Sequence, residues 1–500
     1  MNKQISRVAL VALLLLAALI VGTTYWQVWA APGLAARQDN AIQRVADFQI
    51  KRGLIYASDG KTVLAANTAV KKAGQTLFFR RYPTHGFASQ VVGYSTQGRS
   101  RAGIERQENS YLTASNANLG TIWSKLTDKL KGTTVTGNNL VLNLNVKAQK
   151  LAESALAGNC GSAVVINPKT GAVEVMASSP SYDPNKIESP NGYASILHSP
   201  SACPGSSSAL LNRATQGLFV PGSTFKTVTA AAALDSGKFK QDSSFYDPGY
   251  CTEYGKQVSN ALNPDQTAES YGNVDFLAAY EHSINAVFCN IGKALGAKAV
   301  LDEAKKFGFY SKPPIELPSD EVAPSGLYNL QKGVLYDNPK IVDPGRLAFG
   351  QEHLLTTPLQ MALVAAGVAN KGTIMTPHLV KKVTAPDGST VVKFKPQTWR
   401  KAMKPSTAAI LNQFMQAVVT GGTGRSASIP GVAVAGKTGT AETGQNHVYT
   451  AWFIFFAPAD NPTVAGAVVL EHQLNGFGGS VAAPIARQLM EALLPATSNK

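Results

Sequence analysis

Apolar and polar positions give this chain three different textures. From Val8 to Val21 every residue is apolar, and no charge occurs between Arg7 and Arg37. As a helix, Val8 to Ala31 would extend about 36 Å, enough to cross a bilayer. Lys3 and Arg7 precede it, which predicts a cytoplasmic amino terminus and an exported bulk, with Tyr25, Trp26 and Trp29 at the outer interface. The competing reading is a cleaved signal peptide, because the small residues Ala30, Ala31, Ala35 and Ala36 follow. The length of the run favours a retained anchor over an h-region of roughly 7 to 15 residues.

The second texture, from Gln38 to about Thr136, is mixed and polar. Short strand-like runs at Thr62 to Ala65, Leu77 to Phe79 and Gln90 to Tyr94 alternate with turn signals, and no cluster of catalytic side chains stands out.

From Leu140 the pattern tightens. Leu140 to Asn143 reads as a strand and Val146 to Leu156 as a helix; Ser162 to Asn167 and Ala172 to Ala177 form a hairpin across Pro168 to Gly171. A Pro- and Ser-rich loop, Ser178 to Ser208, leads to a helix beginning near Pro221. Val274 to Leu295 is helix-like, and Thr357-Pro358-Leu359-Gln360 is a capping box with Pro at the first helical position, opening a helix that ends near Asn370. Val432 to Ala435, Tyr449 to Ala457 and Thr463 to Glu471 read as strands, and Pro484 to Leu494 as a closing helix. Strands at both ends of a helical middle predict an α+β fold, an antiparallel sheet flanked by helices. The expected organisation is a tail at 1–7, an anchor at 8–31, a smaller mixed pedestal at 32–139 and a catalytic domain at 140–496.

Composition narrows the function. With 500 residues and 44% hydrophobic content the chain can bury a large core. The formal charge of +15 comes from Lys and Arg scattered along the chain, with no basic run and no nucleic-acid motif, so it reads as a basic solvated surface rather than a nucleic-acid site. The four cysteines, Cys160, Cys203, Cys251 and Cys289, allow three connectivities in an exported domain. Sequential pairing is the expectation, with buried free thiols as the alternative. No Cys-x-x-Cys occurs, and neither a metal nor a cofactor is expected.

The chemistry is carried by Ser223-Thr224-Phe225-Lys226. Residues three apart share a helix face, so Lys226 can place its amine beside the Ser223 hydroxyl as a base. Ser223 would sit in the first helical turn, where free N–H groups can hold an oxyanion. Lowering a lysine from about 10.4 to about 7 requires roughly 4.6 kcal/mol from desolvation or a second cation. That cation is found in Lys437-Thr438-Gly439-Thr440, and between the two lies Ser283-Ile284-Asn285. Ser-x-x-Lys, Ser-x-Asn and Lys-Thr-Gly, in this order, are the triplets of serine acyl-transferases that react with penicillin. Each triplet also recurs as a decoy, at Ser58 to Lys61, Ser189 to Asn191 and Lys169 to Gly171. Those copies read as turns: Asp59-Gly60 and Pro190 oppose helices, and Lys169 lies at a hairpin tip. Gly-x-Ser-x-Gly and His-Glu-x-x-His are absent. His282 reads as structural, and Glu442 and Glu471 as ion-paired or solvated.

With these motifs in place, the chain resembles the class B penicillin-binding proteins, in particular their penicillin-binding protein A branch. The likeness extends to Gly350-Gln351, Thr357 to Ala362 and Thr420 to Gly424, and to Arg52 to Ile55, Val91 to Tyr94 and Gly103 to Glu105 in the pedestal. Glu352 departs from the family's frequent Gly. The resemblance implies a penicillin-binding transpeptidase fold and D,D-transpeptidation of peptidoglycan stem peptides. Ser223 would be the nucleophile, Lys226 the base, and Ser283 with Lys437 the proton relay to the leaving group. Asn285, Thr438, Gly439 and Thr440 would bind substrate, with β-lactams as covalent inhibitors. Two other readings stay open: a serine β-lactamase, and a mainly structural activator of a membrane glycan polymerase.

Overall fold

The computed structural model describes residues 2–30, 48–72, 74–115, 134–198, 203, 208–261 and 267–495. Helix α1 (Asn2–Thr24) runs into a π-helical segment, Tyr25–Ala30. The span Gln4–Gln27 has a mean hydropathy of 2.5 and none of its apolar window is buried, which fits a single-pass membrane protein. Ala31, Ala35 and Ala36, and the Trp29 side chain, lie outside the described residues.

Three strands follow, β1 (Ile55–Tyr56), β2 (Val63–Lys72) and β3 (Gln75–Arg81). The strand expected at Gln90 to Tyr94 is instead a one-turn helix, Ser89–Val92, closed by Gly93 N–H donating to the Ser89 carbonyl at 2.8 Å. All four of its residues are buried, and a short run without alternation does not distinguish a buried turn of helix from a strand. Nearby, Glu105 is fully buried and accepts from Arg52 at 2.8 Å and Arg80 at 2.6 Å. Burial alone would raise its pKa, but the two guanidinium groups hold it below the ordinary carboxylate value.

Next come β4 (Asn139–Leu142), α2 (Val146–Leu156), β5 (Cys160–Ile166) and β6 (Val173–Ser179). The Asn145 side chain caps α2 by accepting from Ala148 N–H at 3.1 Å. Pro190, expected to oppose a helix, occupies the first position of one, Pro190–Leu197, with Ser189 as its cap. The proline costs nothing there, because the first helical N–H has no intrahelical partner anyway.

A 3-10 turn, Gly222–Phe225, leads into α3 (Lys226–Asp235). The strands β7 (Ser244–Asp247), β8 (Tyr250–Glu253), β9 (Lys256–Ser259) and β10 (Gly272–Asp275) form two small sheets ahead of α4 (Phe276–Glu281) and α5 (Asn285–Leu295). Then follow α6 (Pro358–Ala369), β11 (Val380–Thr384), β12 (Thr390–Lys393) and α7 (Pro405–Thr420). The chain ends with β13 (Ala435–Glu442), β14 (Val448–Ala457), β15 (Val464–Leu474) and α8 (Ala483–Leu493). Val432, expected to open the β13 strand, makes only an isolated bridge to Ile429.

The central sheet has the order β13-β14-β15-β5-β6 and is antiparallel throughout. Its middle strand-pairs are apolar on both faces because helices cover both. Trp452, Ile454 and Phe456 join one core with α6, while Phe453 and Phe455 join another with α2 and α8. All twelve residues of α6 are buried, consistent with an apolar composition on every side. A second sheet, β12-β11-β4-β1-β2-β3, takes strands from both sides of residue 140, so main-chain hydrogen bonds join β1 through β4 to β11.

Candidate active site

Three hydrogen bonds hold the Ser223 turn. Gly222 has φ +52, a left-handed conformation that suits a residue without Cβ, and its N–H donates to the Gly350 carbonyl at 3.1 Å. Thr224 Oγ1 donates to the Pro221 carbonyl at 2.7 Å, and buried Trp452 donates from its indole nitrogen to the Val220 carbonyl at 3.0 Å. Ser223 thus lies in the tight turn at the head of α3, and Lys226 is the first residue of that helix. Among the described residues the Ser223 hydroxyl has no hydrogen-bond partner, whereas Lys226 is completely buried.

The second segment differs from its expected form. Val274 to Leu295 is not one helix: α4 ends at Glu281 with His282 as its C-cap, and Ser283 takes a left-handed conformation with φ +60. The Ser283 N–H donates to the Tyr280 carbonyl at 3.2 Å and the Ile284 N–H to the Ala279 carbonyl at 2.9 Å. This is a Schellman termination with serine where glycine is usual, which satisfies two end carbonyls at a cost of about 1–2 kcal/mol in backbone strain. The break turns the Ser283 side chain and carbonyl toward α3 and lets Asn285 open a new helix.

Lys226 Nζ donates to the Ser283 carbonyl at 2.6 Å and to Asn285 Oδ1 at 2.7 Å, and lies 3.3 Å from Ser283 Oγ. From the third segment, buried Lys437 donates to the same Ser283 Oγ at 2.8 Å. One hydroxyl therefore sits between two lysine amines. Burial, and secondarily the charge of Lys437, holds Lys226 well below its ordinary value of 10.5. Burial brings Lys437 down to about 7.

Lys437 lies on β13, at one edge of the central sheet, and packs tightly against the Ser223 turn. A Cβ on Gly439 would come within 2.8 Å of the Pro221 carbonyl and 2.9 Å of Thr224 Cγ2, so only glycine permits this approach. Alternation along β13 places Thr438 and Thr440 on the opposite face from Lys437. The Thr438 hydroxyl meets that of Thr423 at 2.6 Å, and Thr440 Oγ1 accepts from Gly478 N–H at 3.3 Å. Sequence reasoning missed Thr423 as a partner of the Lys-Thr-Gly strand, although it lies in the Thr420 to Gly424 segment.

The decoy triplets stay apart from this cluster in their hydrogen bonding. Asp59 closes its own turn by accepting from Lys61 and Thr62 N–H, and Lys169 lies in the turn between β5 and β6. His282 stacks on Tyr271, with ring centroids 5.1 Å apart. Glu471 lies 3.6 Å from Arg213, and Glu442 is exposed. Cys160 is bonded to Cys203 and Cys251 to Cys289, with Cα separations of 5.0 and 6.2 Å. The second bond ties β8 to α5, and with both sulfurs so engaged, neighbouring Glu253 has no thiolates with which to bind a metal.

Residues 161–491 match the family profile of the penicillin-binding protein transpeptidase domain, about two thirds of the chain. The chain belongs to the penicillin-binding protein transpeptidases. Residues 52–140 match the penicillin-binding protein A dimerisation domain. The chain is 33% identical to peptidoglycan D,D-transpeptidase PbpA of Mycolicibacterium smegmatis and 32% identical to that of Mycobacterium tuberculosis. Each alignment covers 99% of both chains. Penicillin-binding protein A from M. tuberculosis, solved as a ceftriaxone acyl-enzyme, superposes with a TM-score of 0.79 at 30% identity over 90% of this chain and 100% of that one. The D,D-transpeptidase domain of a peptidoglycan glycosyltransferase from Eggerthella lenta gives 0.73 at 31% identity, over 89% and 98%. In this penicillin-binding protein transpeptidase, the mixed helices and sheets expected from the sequence are those of the family fold.

Proposed function

We propose that this chain is a peptidoglycan D,D-transpeptidase that cross-links stem peptides through an acyl-enzyme on Ser223, and that penicillin acylates the same hydroxyl. The observation that carries the reading is the convergence of Lys226 and Lys437 on one hydroxyl, Ser283, beside the Ser223 turn. Neutral Lys226 has two N–H bonds and one lone pair. Its two short contacts, to Ser283 O and Asn285 Oδ1, use both N–H bonds and leave the lone pair for the Ser223 proton.

Ser223 Oγ then bonds to the carbonyl carbon between the two terminal D-Ala residues while its proton passes to Lys226 Nζ. The oxyanion is held by the N–H groups of Ser223 and Thr440, worth about 3 kcal/mol per donor. The C–N bond breaks as the leaving amine takes a proton through Ser283 and Lys437, releasing D-Ala. An amine of a neighbouring stem attacks the ester, its proton returns by the same groups, and Ser223 is regenerated. Asn285 holds the substrate amide; the hydroxyls of Thr438 and Thr440 bind its terminal carboxylate and Lys437, from the other face of the strand, contributes its positive charge, with Gly439 allowing the strand to lie close.

In the same reading residues 1–7 are cytoplasmic, 8–31 anchor the chain, 32–139 form a pedestal and 140–496 the extracytoplasmic catalytic domain. A membrane glycan polymerase of the cell-wall machinery is the partner in this reading. The charge of Lys3 and Arg7 ahead of an unburied apolar helix supports this orientation.

Labelling the full chain with fluorescent penicillin tests the assignment. Ser223→Ala abolishes labelling in a folded protein, and persistent labelling overturns it. An acyl-enzyme that survives for hours supports the transpeptidase; one cleared in seconds indicates a β-lactamase. Full rescue of cells by Ser223→Ala would reduce the protein to a structural activator of the polymerase.

A further inference from the structure

Helix α5 begins at the catalytic cluster without a cap of its own. Its N-cap position is Ile284, whose side chain has no oxygen to accept an N–H from the first turn. The need is met from outside the helix. Asn260, the residue that follows β9, accepts from the Ala286 N–H through Oδ1 at 2.9 Å, and the residue is only 6% exposed. Its amide orientation is fixed on the other side: Nδ2 lies 3.0 and 2.9 Å from the two carboxylate oxygens of Asp247 and 2.8 Å from the Glu269 carbonyl. Asp247 is fully buried, and its carboxylate also accepts from Gly249 and Tyr271 N–H at 2.9 Å each. A buried carboxylate held by neutral donors is expensive unless each bond is in place, so it fixes its neighbours firmly.

The residue before Asn260 acts on Asn285 itself. The Ser259 carbonyl accepts from Asn285 Nδ2 at 3.1 Å, which leaves Oδ1 as the atom presented to Lys226 at 2.7 Å. If the end of β9 moved, the Asn285 amide would be free to turn and offer N–H groups to an amine that needs an acceptor.

We propose that Asp247 and Asn260 are positioning residues for acylation, a cap supplied in trans that holds the start of α5 and the orientation of the Asn285 amide against Lys226. They touch neither substrate nor reacting atoms. The proposal rests on the roles given above to Lys226 and Asn285, and it assigns the small sheets between α3 and α4 a task in catalysis.

The test is a double-mutant cycle on the full chain in detergent, measuring the acylation rate constant k2 and the binding constant K for penicillin together with Tm. Asn260→Ala lowers k2 tenfold or more with K within twofold, and Asp247→Asn follows it. In an Asn285→Ala background the further substitution Asn260→Ala leaves k2 within twofold, although Tm falls as much as in the native background. If Asn260→Ala does not fold, Asn260→Ser, which keeps one short acceptor, carries the same comparison. The proposal is overturned if k2 is unchanged by the Asn260 and Asp247 variants, or if the Asn260 loss persists undiminished without the Asn285 side chain. Wild-type k2 in Asn285→Ala alone would instead remove the role given to Asn285, and the proposal with it.

Discussion

Replacing Lys437 by methionine should make the protein more stable at neutral pH while destroying its activity. Lys437 is fully buried and its pKa falls from 10.5 to about 7 through burial. In the unfolded chain the amine is charged up to about 10.5, so between pH 7 and 10.5 the unfolded state binds more protons than the folded one. Stability therefore rises with pH across that window, and at pH 7 the buried lysine costs roughly 4 kcal/mol. Methionine fills a similar volume and removes that cost. It also removes the hydrogen bonds to Ser283 Oγ at 2.8 Å and the Thr438 carbonyl at 3.3 Å, each worth about 1 kcal/mol. The net gain at pH 7 is about 2 kcal/mol, a rise of roughly a few degrees in Tm for a domain this large. The gain shrinks by about 1.4 kcal/mol per pH unit and changes sign near about pH 9, where the lost hydrogen bonds outweigh the remaining desolvation cost. Thermal melts of wild type and Lys437→Met from pH 6 to 10, with fluorescent penicillin labelling alongside, measure both effects. A lower Tm for the variant at pH 7, or a difference that does not vary with pH, would refute the reasoning.

Other expectations follow from the same geometry. Because Lys437 loses its charge at about 7, k2/K for a penicillin carrying its carboxylate should decline above neutral pH. The methyl ester of the same penicillin should lack that limb; identical limbs would show that the charge does not serve the carboxylate. Gly439→Ala drives a Cβ to 2.8 Å from the Pro221 carbonyl, so it should cost about 1–3 kcal/mol and slow acylation by displacing β13 from the Ser223 turn, as melts and labelling rates would register. Glu105→Ala leaves Arg52 and Arg80 buried without their shared anion, and denaturant titration should show a loss of about 3–5 kcal/mol, with Ser223 still labelled in whatever fraction remains folded.

Local signals were enough to outline the architecture. The boundaries of α2, α6 and α8 and the strands β5, β6, β14 and β15 follow from apolar spacing, from the Thr357 and Pro358 start signal, and from turn residues such as Pro168 to Gly171, whereas the edge strand β13 shares only Ala435 with the run expected at Val432 to Ala435. The same reasoning gave wrong answers where one local rule outweighed another. Pro190 starts a helix because only its position within the turn decides whether its missing N–H matters. Gln90 to Tyr94 coils because its four buried residues carry no alternation.

By itself, the sequence determined which side chains are candidates for the chemistry: a serine and a lysine three residues apart at a helix start, a second lysine, and a serine with an asparagine between them in the chain. Periodicity and charge are properties of neighbours, and these motifs are written among neighbours. Tertiary structure alone decided what makes them work together. Ser283 reaches both lysines only because a left-handed serine breaks the helix, and Lys437 is depressed only because the fold takes it from water. Likewise Asn285 is aimed by Asp247 and Asn260, residues that belong to no motif. Desolvation and hydrogen-bond direction depend on what lies across the fold, and no stretch of sequence contains that information.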